Sequence, residues 1–429
     1  METPIRLTAD QNQDSPGDLV AESSIADEPI MAELDVDEPI LAELADDGES
    51  SITEKAGLIR RAFRGSVWLI RTSFCFASLT ALLAVLTAIP VLQFIAFGYL
   101  LDVAGRLAQG NTLRKSVPNL DRAGKIGLAW LALFIVSLLP KYLVTLESIS
   151  QLINPGSEQA AGLRFAAVAS SMLAIAYLMW AWVRRGQLRH YFWPQPIRFL
   201  KEGWRWSTWK DAPDQLWDFT VSLELPRLFW LGVRGALATI VWLVPGMIMI
   251  AANRQGKTGL AGLVGALALF AMGIVLLYLP MLQVNFAAEN KFKAMFDVRR
   301  VRSDFRRAPW AWLLAMTCGL LILPIPLYLL KVQAIPREVA WLPCLVFIAF
   351  ILPARIAEGS ALRRARRRTE DPTGRWATIS RVSARLLMLV VVGTYLAFLT
   401  ISQFTSWDGL ATWVEQHAVL LPRPFVLGI

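Results

Sequence analysis

Histidine is almost missing from this chain: 429 residues contain two, His190 and His417, and neither falls in an apolar run. No HExxH occurs, which argues against a histidine-based intramembrane metalloprotease. No GxxxxGK[ST] occurs, so the chain carries no phosphate-binding loop of an ATP-driven motor. No GxSxG occurs, and no serine stands as an evident partner for either histidine, which weakens a serine-hydrolase reading. Cysteine is also scarce. Cys75, Cys318 and Cys344 are an odd number, show no CxxC spacing and sit inside apolar runs, where they read as small packing residues. Charge is low at 18%, against about 25% in soluble domains. The N-terminus lacks a basic segment followed by an apolar core, so no cleavable signal peptide is expected, and insertion would use the first span as an uncleaved signal.

Apolar residues fill the space: 55% of the chain, with a mean hydropathy of +0.45. They are gathered into runs at Phe74–Leu101, Ile126–Val144, Phe165–Val183, Leu228–Ala252, Thr258–Phe286, Ala311–Leu330, Val339–Ala354 and Leu386–Phe404. Runs of this length are membrane spans. The sixteen residues of Val339–Ala354 are the shortest. Seventeen tryptophans fit, because tryptophan gathers at membrane interfaces. The expected fold is an all-α integral membrane protein, a bundle of seven to eight transmembrane helices with interfacial amphipathic helices beside it. Its domains are an acidic tail at 1–55, a polytopic domain at 56–405 and a short C-terminal tail at 406–429.

Net charge divides the chain. Residues 1–54 carry sixteen acids and one base, Arg6, whereas the remainder nets +24. An acidic segment this poor in aromatics cannot bury enough apolar surface to offset its ordering entropy, so it reads as disordered. Asp27-Glu-Pro-Ile-Met-Ala-Glu-Leu34 recurs as Asp37-Glu-Pro-Ile-Leu-Ala-Glu-Leu44. The repeat is either a slipped duplication or a pair of short docking motifs for a protein partner.

Lysine and arginine in loops mark the cytoplasmic side. Segments 55–71, 102–125, 184–228, 287–308 and 355–385 hold 34 of them, and the intervening segments hold 6. This places the protein in the inner (cytoplasmic) membrane with its N-terminal tail in the cytoplasm. Both flanks of Phe74–Leu101 are basic, so a re-entrant hairpin broken at Pro90, with two short arms, is preferred to a single crossing. Arg184–Arg227, with Trp193, Trp204, Trp206, Trp209 and Trp217, reads as an interfacial segment.

The chain is organised around Thr258–Trp310, where a span runs into the basic segment Glu289–Arg307. Phe292, Met295, Phe296, Val301 and Phe305 recur at roughly helical spacing, so an amphipathic surface helix is expected. Its apolar face would enter the acyl boundary while Arg299, Arg300, Arg302, Arg306 and Arg307 meet anionic lipid headgroups. The rival arrangement packs that face on the protein itself. Anionic membrane lipids are thus the expected partners, with no nucleic acid and no cofactor or metal. No catalytic, cofactor-binding or metal-ligating residue stands out. A cluster of membrane-edge polar groups does: Gln93 beside Pro90, then Gln283, Asn285 and Glu289 after Pro280, and Arg355 and Glu358 after Pro353. A clamp pairing Glu289 with Arg355 is the expected form. Lys141 and Arg234 read as snorkelling cations. Gly259, Gly262, Gly265 and Gly273 read as a close-packing face.

Two stretches resemble an uncharacterised bacterial family of multi-pass membrane proteins, a domain of unknown function. One is Ile89-Pro-Val-Leu-Gln-Phe-Ile-Ala-Phe-Gly-Tyr-Leu-Leu-Asp-Val-Ala-Gly-Arg106, and the other is Tyr278-Leu-Pro-Met-Leu-Gln-Val-Asn-Phe-Ala-Ala-Glu-Asn-Lys-Phe-Lys-Ala-Met-Phe-Asp297. Met295 departs from the family's Ala-Phe pair. The resemblance implies a membrane location and no activity. Function therefore reads as a non-catalytic scaffold or accessory subunit, with a transporter or lipid-handling permease sited near the broken hairpin as the alternative.

Overall fold

A computed structural model describes residues 42–183, 201, 205, 212–246, 248, 259–322 and 341–405. Among them the regular elements are helices. In chain order they are α1 (Ala42–Ala88), α2 (Gln93–Ala108), α3 (Leu113–Ser116), α4 (Leu120–Ile153), α5 (Glu158–Val183), α6 (Ala212–Ser222), α7 (Leu225–Trp242), α8 (Gly259–Glu289), α9 (Val298–Arg307), α10 (Pro309–Thr317), α11 (Trp341–Arg366) and α12 (Arg375–Thr405). A 3₁₀ turn, Phe292–Phe296, precedes α9, and a π-helical turn, Cys318–Ile322, follows α10.

Among the described residues six stretches are long and apolar enough to cross a membrane: Arg64–Ala88, Leu120–Ile153, Glu158–Ala181, Gly262–Glu289, Cys344–Arg366 and Arg375–Phe398. This is the build of a helical membrane protein. α1 reaches back to Ala42, into the stretch read as an unordered tail. Residues 1–41 and 406–429, most of 184–211, and the second half of Ala311–Leu330 lie outside the described residues.

The Phe74–Leu101 run does break at Pro90. α1 ends at Ala88, Val91 takes a φ of 74°, and the amide of Gln93 bonds back to the Ile89 carbonyl at 3.1 Å. A positive φ is unusual for a β-branched residue, so the turn is held by what surrounds it. Beyond the break α2 comes back. Arg71 pairs with Asp121 at 3.1 Å, the position of a Cβ on Gly124 lies against Cys75, and that on Gly127 lies against Ser78. Partner numbers rise together, so α1 and α4 run side by side in the same sense, and α2 must be the return arm. The hairpin differs from the expected pair of short arms. Its first arm, the 25 residues Arg64–Ala88, is about 37 Å long, enough for a full crossing. Its second is the 16-residue α2, about 24 Å long.

α2 is the hub. Thirteen of its sixteen residues are buried, against α7, α8 and α11. Lipid chains are as apolar as leucine, so helices in a membrane gain little from hiding leucines and associate through close packing. Glycine permits that here. A Cβ on Gly98 would lie 1.9 Å from the Leu228 carbonyl oxygen, and one on Gly232 would lie 1.9 Å from that of Phe94. Each glycine thus faces the other helix's backbone, where Cα–H donors meet carbonyls. Gly105 meets Ala287 of α8, and Gly359 of α11 meets Ala104. Of the four glycines expected to do this, Gly259 and Gly262 have open space around them, Gly273 makes ordinary contacts, and Gly265 is buried.

Two expected spans take other forms. Val339–Ala354 extends through Pro353 to Arg366, and its apolar window is the most buried of the six at 56%. The run Leu228–Ala252 breaks after Trp242. α7 is fixed at both ends to one end of the bundle. At its start Arg227 binds Asp102 of α2, and the preceding turn bonds to the head of α4 through Arg122 and the Ser222 carbonyl, 2.9 Å. At its end Trp242 stacks on Phe296 and donates to the Met295 carbonyl at 3.1 Å, beyond the C-terminus of α8. α7 therefore lies across the bundle rather than through it. α4 and α5 form a peripheral hairpin turned at Gly156, with only 11% and 6% of their apolar windows buried. Their exposed leucines and phenylalanines suit a lipid face.

Candidate functional site

Polar side chains collect where α2, α7, α8 and α11 meet. Asp102, near the end of α2, is buried and accepts from Arg106 Nε at 2.7 Å and from Arg227 Nη2 at 2.9 Å. Arg227 also pairs with Glu224, three residues before it. Burial works against the Arg227 charge, but Asp102 and Glu224 outweigh it and hold the guanidinium above its usual value. Nothing in the composition singles out Asp102, a lone acid in an apolar stretch. The signal was its spacing, Asp102 to Arg106 at i,i+4, which places both on one helix face.

The second group lies at the end of α8. Gln283 and Asn285 are fully buried. Gln283 Nε2 donates to Thr239 Oγ1 of α7 at 2.7 Å. Asn285 Nδ2 donates to the Ala294 carbonyl at 2.8 Å, and its Oδ1 accepts from Arg366 Nη2 at 2.6 Å. Glu289 pairs with Arg300 at 2.8 Å and reaches Arg366 at 3.8 Å. Arg234 belongs here too: its Nη2 donates to Asn290 Oδ1 at 2.6 Å, which fixes α7 on α8 where a snorkelling cation was expected. Lys141 of α4 is exposed, 6.0 Å from the Phe134 ring centre.

The expected Glu289–Arg355 pair does not form. Arg366, eleven residues further along α11, serves Glu289, because the helix continues past Pro353. Arg355 Nη1 instead donates to Glu358 Oε2 of the same helix at 2.8 Å, and both side chains are essentially inaccessible. Arg355 stands eleven residues from either end of Cys344–Arg366, about 16 Å from each. The Arg355 guanidinium lies 5.9 Å from the centre of the Phe97 ring of α2. A Cβ on Gly319, in the π-helical turn, would stand 3.1 Å from Glu358 Oε1. Gln93 is apart from all of these, at the Pro90 bend, where its backbone amide and not its side chain makes the bond.

The basic stretch after α8 is broken at Asp297, whose carboxylate caps α9 by accepting from the Arg300 amide at 3.0 Å. Its apolar face is covered by protein: Met295, Val301 and Phe305 are buried, and Phe305 packs edge-on against Trp312. The expectation that this face enters the acyl boundary is thus corrected, because α8, α10 and α11 already occupy it; Phe292 and Phe296 stay exposed. Arg299, Arg300, Arg302 and Arg306 point outward, and Arg307 is half-buried on Asp371 at 3.2 Å.

Asp304, on the covered face of α9, is buried, with Arg366 and Arg307 both at 3.9 Å. Burial raises its carboxyl above the usual carboxylate range; Arg366, Arg300 and Arg307 only partly oppose this. The folded state therefore binds this proton more tightly than the unfolded one. Asp304 adds stability in acid, and that contribution is lost as pH rises from the ordinary carboxylate range through the raised folded value. Melting temperatures of the wild type and D304N between about pH 4 and 7 should converge in acid and diverge in favour of D304N at neutrality. A wild type that gains on D304N as pH rises would reverse the assignment.

Among the described residues no group of three or more His, Cys, Asp or Glu could hold a metal ion. Clefts of about 600, 590, 370 and 240 Å³ are lined by none of Gln93, Arg234, Asn285, Arg355 and Glu358. The polar groups are knitted to one another, an arrangement suited to holding helices in register. Residues 207–332, which include α6 to α10, match a family described as a protein of unknown function, DUF4013. The 278–297 stretch that carried the resemblance lies within the match, and 89–106 lies outside it. No curated protein and no solved structure matches the chain.

Proposed function

We propose that this helical membrane protein is a non-catalytic scaffold or accessory subunit of the inner membrane, with its basic end and its acidic tail in the cytoplasm. One observation carries the reading: the buried polar groups of the packed hub are paired with one another, Asp102 with two arginines and Glu358 with Arg355. A substrate path needs such groups turned toward a cavity. The duplicated Asp-Glu-Pro-Ile-x-Ala-Glu-Leu segment supports a protein partner for the tail. In a mild-detergent pull-down the full chain should retain a stoichiometric partner that the chain lacking residues 1–54 loses, with no change in its own yield. Equal recovery by both forms counts against the tether.

The orientation rests on the loop charges, and cysteine labelling tests it. Thr112 and Thr369 are exposed at the basic end, and Glu158 is exposed beyond the far end of α4. In intact cells an impermeant thiol reagent should spare T112C and T369C and modify E158C. Labelling of T112C from outside would overturn the hairpin threading.

A lipid-handling permease is the second reading. It is favoured by a buried ion pair inside a candidate span, beside a π-helical turn, a distortion that often marks functional sites. Lipid flipping in proteoliposomes no faster than in empty liposomes would dispose of it.

A further inference from the structure

At the basic end a groove of about 600 Å³ opens between the head of α10, the last turns of α11 and the head of α12. Four arginines line it: Arg306 from α9, Arg364 and Arg368 from the end of α11, and Arg381 from α12. No aspartate or glutamate does. Arg368 Nη1 donates to the Arg307 carbonyl at 2.6 Å. Arg381 Nε donates to the Arg306 carbonyl at 3.3 Å, and its Nη2 donates to that of Pro372. Carbonyls position these two guanidiniums without cancelling their charge. Among the described residues no carboxylate pairs with any of the four.

The rest of the groove is largely apolar. Trp310 and Leu314 form one wall and are 52% and 63% exposed, and alanines from α10, α11 and α12 keep the floor low. Ser360 and Ser380 add hydroxyls to the lining. The groove is thus cationic at the end of the spans and apolar along the first turns of α10, and tryptophan is a residue of the headgroup level. Guanidinium forks match phosphate oxygens in pairs.

We propose that this groove binds one anionic glycerophospholipid, its phosphate among Arg306, Arg364, Arg368 and Arg381 and an acyl chain along Trp310 and Leu314. The site is a concave pocket that takes Arg306 from α9 but none of Arg299, Arg300 and Arg302. It rests on the membrane location and not on the scaffold role, so the tail-deletion result leaves it untouched. A free phosphate shares the arginine chemistry but has no use for the apolar wall.

The test uses the full chain in neutral detergent, with lipid occupancy read by native mass spectrometry during titration with phosphatidylglycerol or phosphatidylcholine. Phosphatidylglycerol should bind about tenfold more tightly. R306Q/R364Q removes the two guanidiniums of the groove that bond to no other described residue and leaves the Arg306 carbonyl in place, so the fold should survive, with phosphatidylcholine occupancy as the check. It should weaken phosphatidylglycerol about tenfold. R299Q/R302Q, with equal charge lost from α9 outside the groove, should change it by less than about twofold. Equal affinity for the two lipids, equal losses in the two variants, or displacement of the lipid by millimolar inorganic phosphate would each overturn the proposal.

Discussion

Replacing Gly98 by alanine should remove most of the folded protein. One added methyl would meet the Leu228 carbonyl oxygen at 1.9 Å and its carbon at 2.8 Å, and these are backbone atoms that no rotamer change can move aside. Overpacking usually costs about 1–3 kcal/mol, and contacts against backbone belong at or above the top of that range. The α2–α7 crossing would have to open, taking with it the Asp102–Arg227 bond and the crossing at Gly232. The measurement is monodisperse yield and melting temperature in detergent. G262A is the control: its surroundings are empty, and alanine in a helix interior should add about 0.5–1 kcal/mol. If G98A melts with G262A, the close crossing is not there.

Arg355 and Glu358 should behave oppositely when changed singly and together. R355M leaves a buried carboxylate without its cation, and E358L leaves a buried guanidinium without its anion. Breaking such a pair costs about 3–5 kcal/mol, whereas replacing both by apolar groups of similar volume is often neutral or stabilising. R355M/E358L should therefore melt near the wild type while either single variant falls well below it. The signature is the coupling between the two sites, which unfolding in a denaturing detergent series would measure. Additive losses would mean that the two side chains act independently, with Arg355 held by Phe97 and Glu358 by the turn at Gly319.

What could be read in advance was what depends on neighbours in sequence. Length and hydropathy located the apolar runs, because crossing a membrane requires a fixed length of helix. Pro90 located the break, because proline removes a backbone donor wherever it stands. What could not be read depends on residues far apart. Val339–Ala354 was ended at the first charge, Arg355, although a helix can continue through a buried charge when its partner is three residues on. Leu228–Ala252 met the requirement for a span, yet both ends of α7 are claimed by one end of the bundle, through Asp102 and Met295. Gln283, Asn285 and Glu289 stand at one helix end, and their partners, Thr239, Arg366 and Arg300, lie on other elements. The glycines that matter were passed over, since four glycines in one run make a visible pattern and Gly98, Gly105, Gly232 and Gly359 do not.

The placement of α2 sets an order of assembly. Gly98 meets residues 130 positions later, Gly105 meets Ala287, 182 later, and Ala104 meets Gly359, 255 later. At about 5–20 residues per second of synthesis, the last of these partners emerges some ten to fifty seconds after α2 has been made. Until α7 is made Asp102 has only Arg106 beside it, and until α8 and α11 follow much of the helix lacks the surfaces that will cover it. The nascent chain must shelter this short, charged segment, either within the insertion machinery or at the lipid surface, while α7, α8 and α11 are added around it. Truncations ending between residues 250 and 340 should for that reason be degraded quickly, and arrest near residue 370 should be the earliest point at which α2 resists proteolysis.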